Sequence, residues 1–266
     1  LQVLSSLFFR GHAAYIVGRA INGSETYPFV VPIIHDTRGR LALDAVIINP
    51  QQLARLFSST RAYFLTDMDV PATYVTFLQG LLPAKPRWEL YAMVGLLKAA
   101  KAIFFRDFLH HLRHSTDDFV LAPGTKGLVM VVFTLASFPY VFKVIRDRPQ
   151  PPKDVDRKIV EDKYRLVKRH DRVGRMSDTL EYSSVAFPRS RISPELFAEL
   201  SNAVPSLLEV WGDLIFIKHL YIERRMQPLD LYLQHATDAQ IDRSMFEFGA
   251  TLKELGAANI FAGDLL

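Results

Sequence analysis

Lys143 stands inside Tyr140-Val-Phe-Lys-Val-Ile145, an apolar, strand-like hexapeptide. An ammonium in that setting must reach a sheet edge or meet an anion, because burying it unpaired is costly. Upstream, Ala122-Pro-Gly-Thr-Lys-Gly-Leu128 spaces Gly124 and Gly127 three apart between two strand-like runs. Backbone N–H groups in such a loop can approach phosphates closely. A lysine in the strand that follows would neutralise the phosphates of the same ligand. Far downstream, Gly263-Asp-Leu-Leu266 follows a long helical pattern and offers a carboxylate, Asp264, that could take a proton from a hydroxyl. Each signal alone has an ordinary reading. Two glycines make a turn, a strand lysine snorkels from an edge, and a lone Asp caps a helix. Their order and separation are what point to phosphoryl transfer.

The elements that must position these residues follow from periodicity. Residues 119–121, 128–135 and 140–145 read as strands, and 155–171 as a helix with a charged outer face. A strand over 182–188, a helix over 194–200 and an alternating strand over 214–221 come next, then helices over 229–235 and 239–255. This order matches the N-lobe of protein kinases, with Lys143 in place of the phosphate-binding lysine and Asp264 in a degenerate catalytic-loop motif. The first part reads as a helix over 1–22, a hairpin over 28–34 and 41–48, and a short helix over 51–57. A strand over 62–67, a helix over 70–82 and one long amphipathic helix over 89–114 follow. Ser115-Thr-Asp-Asp118 marks a turn and a domain boundary. The fold class is α+β, with domains at 1–116 and 117–266.

Composition narrows the options. Among 266 residues, 49% are hydrophobic and 23% charged, a globular balance. The chain has no Cys, so disulfide frameworks and thiolate metal sites are excluded. Net charge is +4, short of the clustered excess of a nucleic-acid binder. The basic run from Lys163 to Arg175 is interleaved with acids and reads as a solvated helix face, or as a surface for an acidic protein partner. The uncharged run from Gly127 to Phe142 is too short to span a bilayer and is broken by Pro139. His110 and His114 share a helix face, yet no carboxylate completes a zinc pattern, so no metal ligand is assigned. Leu1 opens the chain in an apolar pattern and Leu266 ends it without a polar tail, so both ends read as cuts through folded protein.

Several segments together carry a resemblance: Ala122–Leu128, Tyr140–Ile145, His170-Asp-Arg-Val-Gly-Arg-Met-Ser-Asp178, Arg191-Ile-Ser-Pro-Glu195, Glu223-Arg-Arg-Met226 and Ala258-Asn-Ile-Phe-Ala-Gly-Asp-Leu265. Over nearly its whole length the chain resembles the isocitrate dehydrogenase kinase/phosphatases, bifunctional bacterial enzymes of the glyoxylate bypass. The resemblance implies a protein-kinase-like N-lobe and partial C-lobe, preceded by part of a mainly helical regulatory domain. It implies that Ala122, Pro123, Gly124, Thr125, Lys126, Gly127 and Leu128 cover the ATP phosphates and that Lys143 binds them. Glu223 to Met226 would fall at the adenine-binding hinge, with Glu223 and Met226 as its binding residues. Asp178 would be the catalytic Asp tied most closely to phosphatase action, and Asp264 the acceptor of the substrate hydroxyl proton. Glu161, on the helix after Lys143, or its neighbour Asp162 could pair with that lysine, although a solvated position is the default for both.

By the same resemblance the substrate is a serine of isocitrate dehydrogenase, Mg²⁺ is required, adenine nucleotides act as effectors, the enzyme is cytoplasmic and it forms a dimer. The sequence departs from the family by stopping two residues after Asp264, before the Asn and Asp that hold Mg²⁺. Little kinase turnover is therefore expected of these 266 residues alone. The competing reading is a nucleotide-sensing or partner-binding module that binds ATP or AMP without turning it over.

Overall fold

The computed structural model describes residues 1–58, 63–170, 179–257 and 259, without the side chains of 168–170. The chain divides into two compact units, the first built on Leu1–Phe108 and the second on Leu109–Val167 and the residues from 179 onward.

The first unit opens with strands: β1 (Gln2–Val3), β2 (Phe8–Arg10), β3 (Ala13–Asn22), β4 (Glu25–His35) and β5 (Leu41–Leu43). They form a five-stranded antiparallel sheet in the order β1-β3-β4-β5, with β2 also on β3. The helix expected over 1–22 is therefore wrong. Two glycines explain why the chain folds back instead. Gly11 (φ 62°) turns β2 into β3, and Gly23 (φ 61°), after Asn22, turns β3 into β4. Asn22 pairs with Glu25 across that turn. Helices α1 (Pro50–Leu56), α2 (Pro71–Leu81), α3 (Arg87–Met93) and α4 (Leu97–His114) follow. Asn49 caps α1 by accepting from the Gln51 and Gln52 backbone amides. The long helix expected over 89–114 is two helices, because Gly95 takes φ 81° and lies against the Tyr63 ring. The unit is thus a sheet followed by helices rather than mainly helical. Its core joins Phe8, Val17 and Val30 of the sheet to Leu53, Phe57, Phe64, Leu78 and Leu90.

The second unit contains β6 (Phe119–Leu121), β7 (Met130–Leu135), β8 (Tyr140–Ile145), α5 (Arg157–His170), β9 (Thr179–Pro188), α6 (Pro194–Ala203), β10 (Leu208–Trp211), β11 (Leu214–Arg224), α7 (Leu229–Leu233) and α8 (Asp238–Ala257). The sheet is antiparallel in the order β10-β11-β8-β7-β6, and β9 also pairs with β11. One face is sealed by aromatic rings. Phe119, Phe133, Phe142 and Phe187 pack at centroid distances of 5.1 to 6.0 Å and are fully buried. Each such ring contributes about 2–3 kcal/mol of burial, which fixes the register of all four strands. α6 covers this core with Leu196 and Leu200, and Ser193 caps it by accepting from the Leu196 amide.

The end of α4 belongs to the second unit because its last turn is bonded there. His111 Nε2 lies 2.8 Å from Ser137 Oγ, which donates to Asp117, and Arg191 donates to the Leu112 carbonyl. Among the described residues no helix is long and apolar enough to cross a membrane.

Candidate active site

Strand alternation decides which side chains share the face of the second sheet opposite the phenylalanines. On β8, Val141 and Lys143 point the same way, and Phe142 points into the aromatic core. On β7, Val132 pairs directly with Lys143. On β11, Tyr221 pairs with Lys143 and Glu223 with Val141. Lys143 and Glu223 are therefore diagonal neighbours on adjacent strands. Their side chains meet: Lys143 Nζ donates to Glu223 Oε2 at 2.5 Å. Glu223 is 5% exposed, so the ion pair is largely withdrawn from water on the carboxylate side.

This face forms the wall of a cavity of about 430 Å³. Val132, Val141, Lys143 and Glu223 line one side. Ala122 and Pro123 line it from the loop after β6, and Arg224 to Pro228 with Leu231 of α7 close the rest. A cavity with apolar walls and cationic side chains among its lining suits an apolar ring system carrying an anionic tail.

The rim beyond β11 is fastened to the sheet. The Arg225 amide donates to the Pro139 carbonyl at 2.9 Å. Its guanidinium donates to the carbonyls of Leu135 (3.1 Å) and Ala136 (3.0 Å) in the β7–β8 turn.

α5 reaches the same carboxylate from above. Tyr164 stacks on Tyr221 with centroids 4.1 Å apart and planes 5° from parallel. Its hydroxyl lies 3.2 Å from Glu223 Oε1 and 3.4 Å from Met130 Sδ. A single proton serves both, and the charged oxygen is the stronger acceptor. Thr179 Oγ1 lies 3.3 Å from the same Oε1. Burial, then the neighbouring Glu223 charge, pushes the Tyr164 phenol well above its ordinary range, so it stays protonated and donates.

The sequence-predicted residues divide into three groups. Lys143, Ala122, Pro123, Glu223 and Met226 are brought together around the cavity. Glu223 is a strand residue facing Lys143 rather than part of the connecting segment, and Met226 is 66% exposed at the rim. The second group turns elsewhere. Thr125, Lys126, Gly127 and Leu128 do not line the cavity. Lys126 Nζ donates to Glu199 Oε2 on α6 at 2.7 Å, and Arg146 donates to the other oxygen of Glu199 at 2.6 Å and to the Gly127 carbonyl at 3.1 Å. Burial raises the Glu199 carboxyl, but the Lys126 and Arg146 hydrogen bonds outweigh it and hold it below its ordinary value. Gly124, at φ 106°, brings its backbone against the Pro228 ring. Asp178 and Asp264 form the third group, outside the described residues.

Glu161 does not meet Lys143; it pairs with Arg165 on its own helix at 3.4 Å. His110 and His114 stack on each other at 4.2 Å. Among the described residues no three His, Asp or Glu side chains converge to hold a metal ion. Sequence reasoning missed Tyr164, the bonds that anchor Arg225, and the walls Val132 and Val141. The walls were legible, since Val141 is two residues from Lys143 on an alternating strand. The other two depend on register between distant segments.

Comparison with known proteins agrees on one family. Residues 117–266 match the model of the isocitrate dehydrogenase kinase/phosphatase (AceK) kinase domain, and residues 1–116 match that of the regulatory domain. An isocitrate dehydrogenase kinase/phosphatase of Burkholderia thailandensis is 58% identical over all 266 residues, which cover 44% of that protein. Proteins of the same name from Methylibium petroleiphilum and Cupriavidus metallidurans are each 56% identical across the whole chain, covering 43% and 45% of their lengths. The chain thus spans less than half the length of the curated relatives it matches. It belongs to the isocitrate dehydrogenase kinase/phosphatase family.

Proposed function

We propose that this chain supplies the nucleotide site of an ATP-dependent protein serine kinase and phosphoserine phosphatase. Its substrate would be isocitrate dehydrogenase, and its effect would be to set flux between the citric acid cycle and the glyoxylate bypass. The observation that carries the reading is Lys143, presented at the wall of an apolar cavity that Ala122 and Pro123 of the glycine-containing loop overhang. The printed names of the relatives point the same way.

In this reading Val132, Val141 and Leu231 hold the base of ATP and exclude water from its faces. Lys143 exchanges part of its contact with Glu223 for the α/β-phosphates. ATP supplies the phosphoryl group to be transferred. Asp264 takes the proton of the serine hydroxyl, and Asp178 orients water or handles a proton in the reverse sense. Adenine nucleotides act as effectors, and the enzyme works as a cytoplasmic dimer. Mg²⁺ fits the described residues poorly. No three ligands converge, and Glu223, the carboxylate lining the cavity, is engaged by Lys143.

Titration of the 266-residue chain with ATP, with and without Mg²⁺, tests this. Saturable binding is expected, with little turnover from a chain that covers 44% of its relative. Val132→Trp fills the cavity and should weaken binding more than about tenfold. Unchanged affinity in that variant refutes the site. A second reading is a sensor that binds nucleotide without turnover, since the cavity and Lys143 serve binding alone equally well. A full-length relative that binds ATP yet transfers no phosphate would select it.

A further inference from the structure

In the protein-kinase arrangement a glutamate on the helix after the lysine strand pairs with that lysine. Here the carboxylate comes from the sheet, and the helix supplies a phenol. Glu223 divides its two oxygens: Oε2 receives Lys143, while Oε1 lies beside Tyr164 and Thr179. We propose that Tyr164 is a positioning residue that sets how firmly Glu223 holds Lys143, giving α5 a grip on the lysine through a neutral hydrogen bond.

The physics runs through the shared carboxylate. A donor at Oε1 draws electron density from the anion and fixes its rotamer, leaving Oε2 as the oxygen that faces the ammonium. Removing that donor concentrates charge toward Lys143 and frees the carboxylate to turn both oxygens to it. The ion pair tightens. A phosphate then has to compete against a stronger internal anion, and the Lys143 amine becomes less available to any reagent. The Tyr164 ring is held for this task by its stack on Tyr221, which faces the same side of the sheet as Lys143. The contact is long for a hydroxyl and a carboxylate, at 3.2 Å. A small shift of α5 therefore moves it between made and unmade, whereas the ion pair itself stays within the sheet.

The part of this inference that concerns phosphate rests on the nucleotide reading above; the part that concerns the amine does not. The test uses the intact 266-residue chain in four forms: wild type, Tyr164→Phe, Glu223→Gln and the double variant. The first readout is the rate at which acetyl N-hydroxysuccinimide ester modifies Lys143 without nucleotide, measured by peptide mass spectrometry against Lys218 as an internal control. Tyr164→Phe should slow Lys143 about three- to tenfold, the scale of one ordinary hydrogen bond, as suits a contact this long, and leave Lys218 unchanged. The slowing should vanish in the Glu223→Gln background. A purely structural tyrosine would give the same change in both backgrounds, or none, and either result overturns the proposal. The second readout is ATP affinity, expected to fall by a similar factor in Tyr164→Phe alone. If no form binds ATP while the Lys143 rates behave as stated, the nucleotide reading fails and the positioning role stands. Thr179→Val removes the other donor to Oε1 and should slow Lys143 in the same direction. It serves if Tyr164→Phe does not fold, and an unaltered rate then counts against the proposal.

Discussion

Two lysines of the second unit end on carboxylates in opposite ways. Lys143 rises from the middle of a strand, with its side chain 25% exposed, and meets a glutamate of the same sheet. Lys126 leaves from a loop, 54% exposed, and reaches across to Glu199 on α6. The first partner is wired from behind by Tyr164 and Thr179, the second by the buried Arg146. The difference separates presentation from tethering. A sheet-borne ammonium keeps its place whatever the loop does. A loop-borne one is held by a contact that water and salt can weaken, while Arg146 keeps Glu199 anchored if Lys126 leaves.

The largest effect expected from breaking this contrast is at Lys143. Lys143→Met leaves the nearly buried Glu223 carboxylate without its cationic partner and should cost about 3 kcal/mol in urea unfolding. Adding Glu223→Leu should recover most of that loss, and failure to recover it would show that the pair does not carry the stability. Next comes Glu199→Gln, which releases Lys126 and weakens the hold of Arg146, for on the order of 1–3 kcal/mol. This carboxyl is lowered in the fold from an ordinary value of 4.5. Its contribution is therefore fully present above that pH and is lost as pH falls through the lower folded value. Glu199→Gln should flatten stability against pH in that acidic window, and an unaltered slope would remove the linkage. The smallest effect is Lys126→Ala, below about 1 kcal/mol and smaller still in high salt, because the pair is partly exposed. A loss as large as that at Lys143 would erase the distinction between the two lysines.

Legibility followed the same divide between local and distant causes. Phe119–Leu121 and Tyr140–Ile145 were read to the residue, because aromatic and β-branched alternation bounded by Pro, Gly and Asp leaves little choice. The first 22 residues read as a helix yet fold as strands, because their short apolar runs fit either period and the Asn22-Gly23 turn decides for strands. Lys143 was recognisable from its apolar setting, but its counter-ion was not. Glu223 lies 80 positions away and meets it only through the register of β8 on β11. Tyr164 resisted reading for a similar reason, since on a highly charged helix one tyrosine gives no sign of facing a sheet.

Arg225 has a mechanical consequence. By bonding the end of β11 to three carbonyls of the β7–β8 turn, it closes that corner into a ring of hydrogen bonds that resists torsion. Pro228 stiffens the other side, and its ring restricts the backbone of Gln227 to extended conformations. The path from the sheet to α7 is thus braced at both ends, by Arg225 on the β7–β8 turn and by Pro228 at the start of the helix.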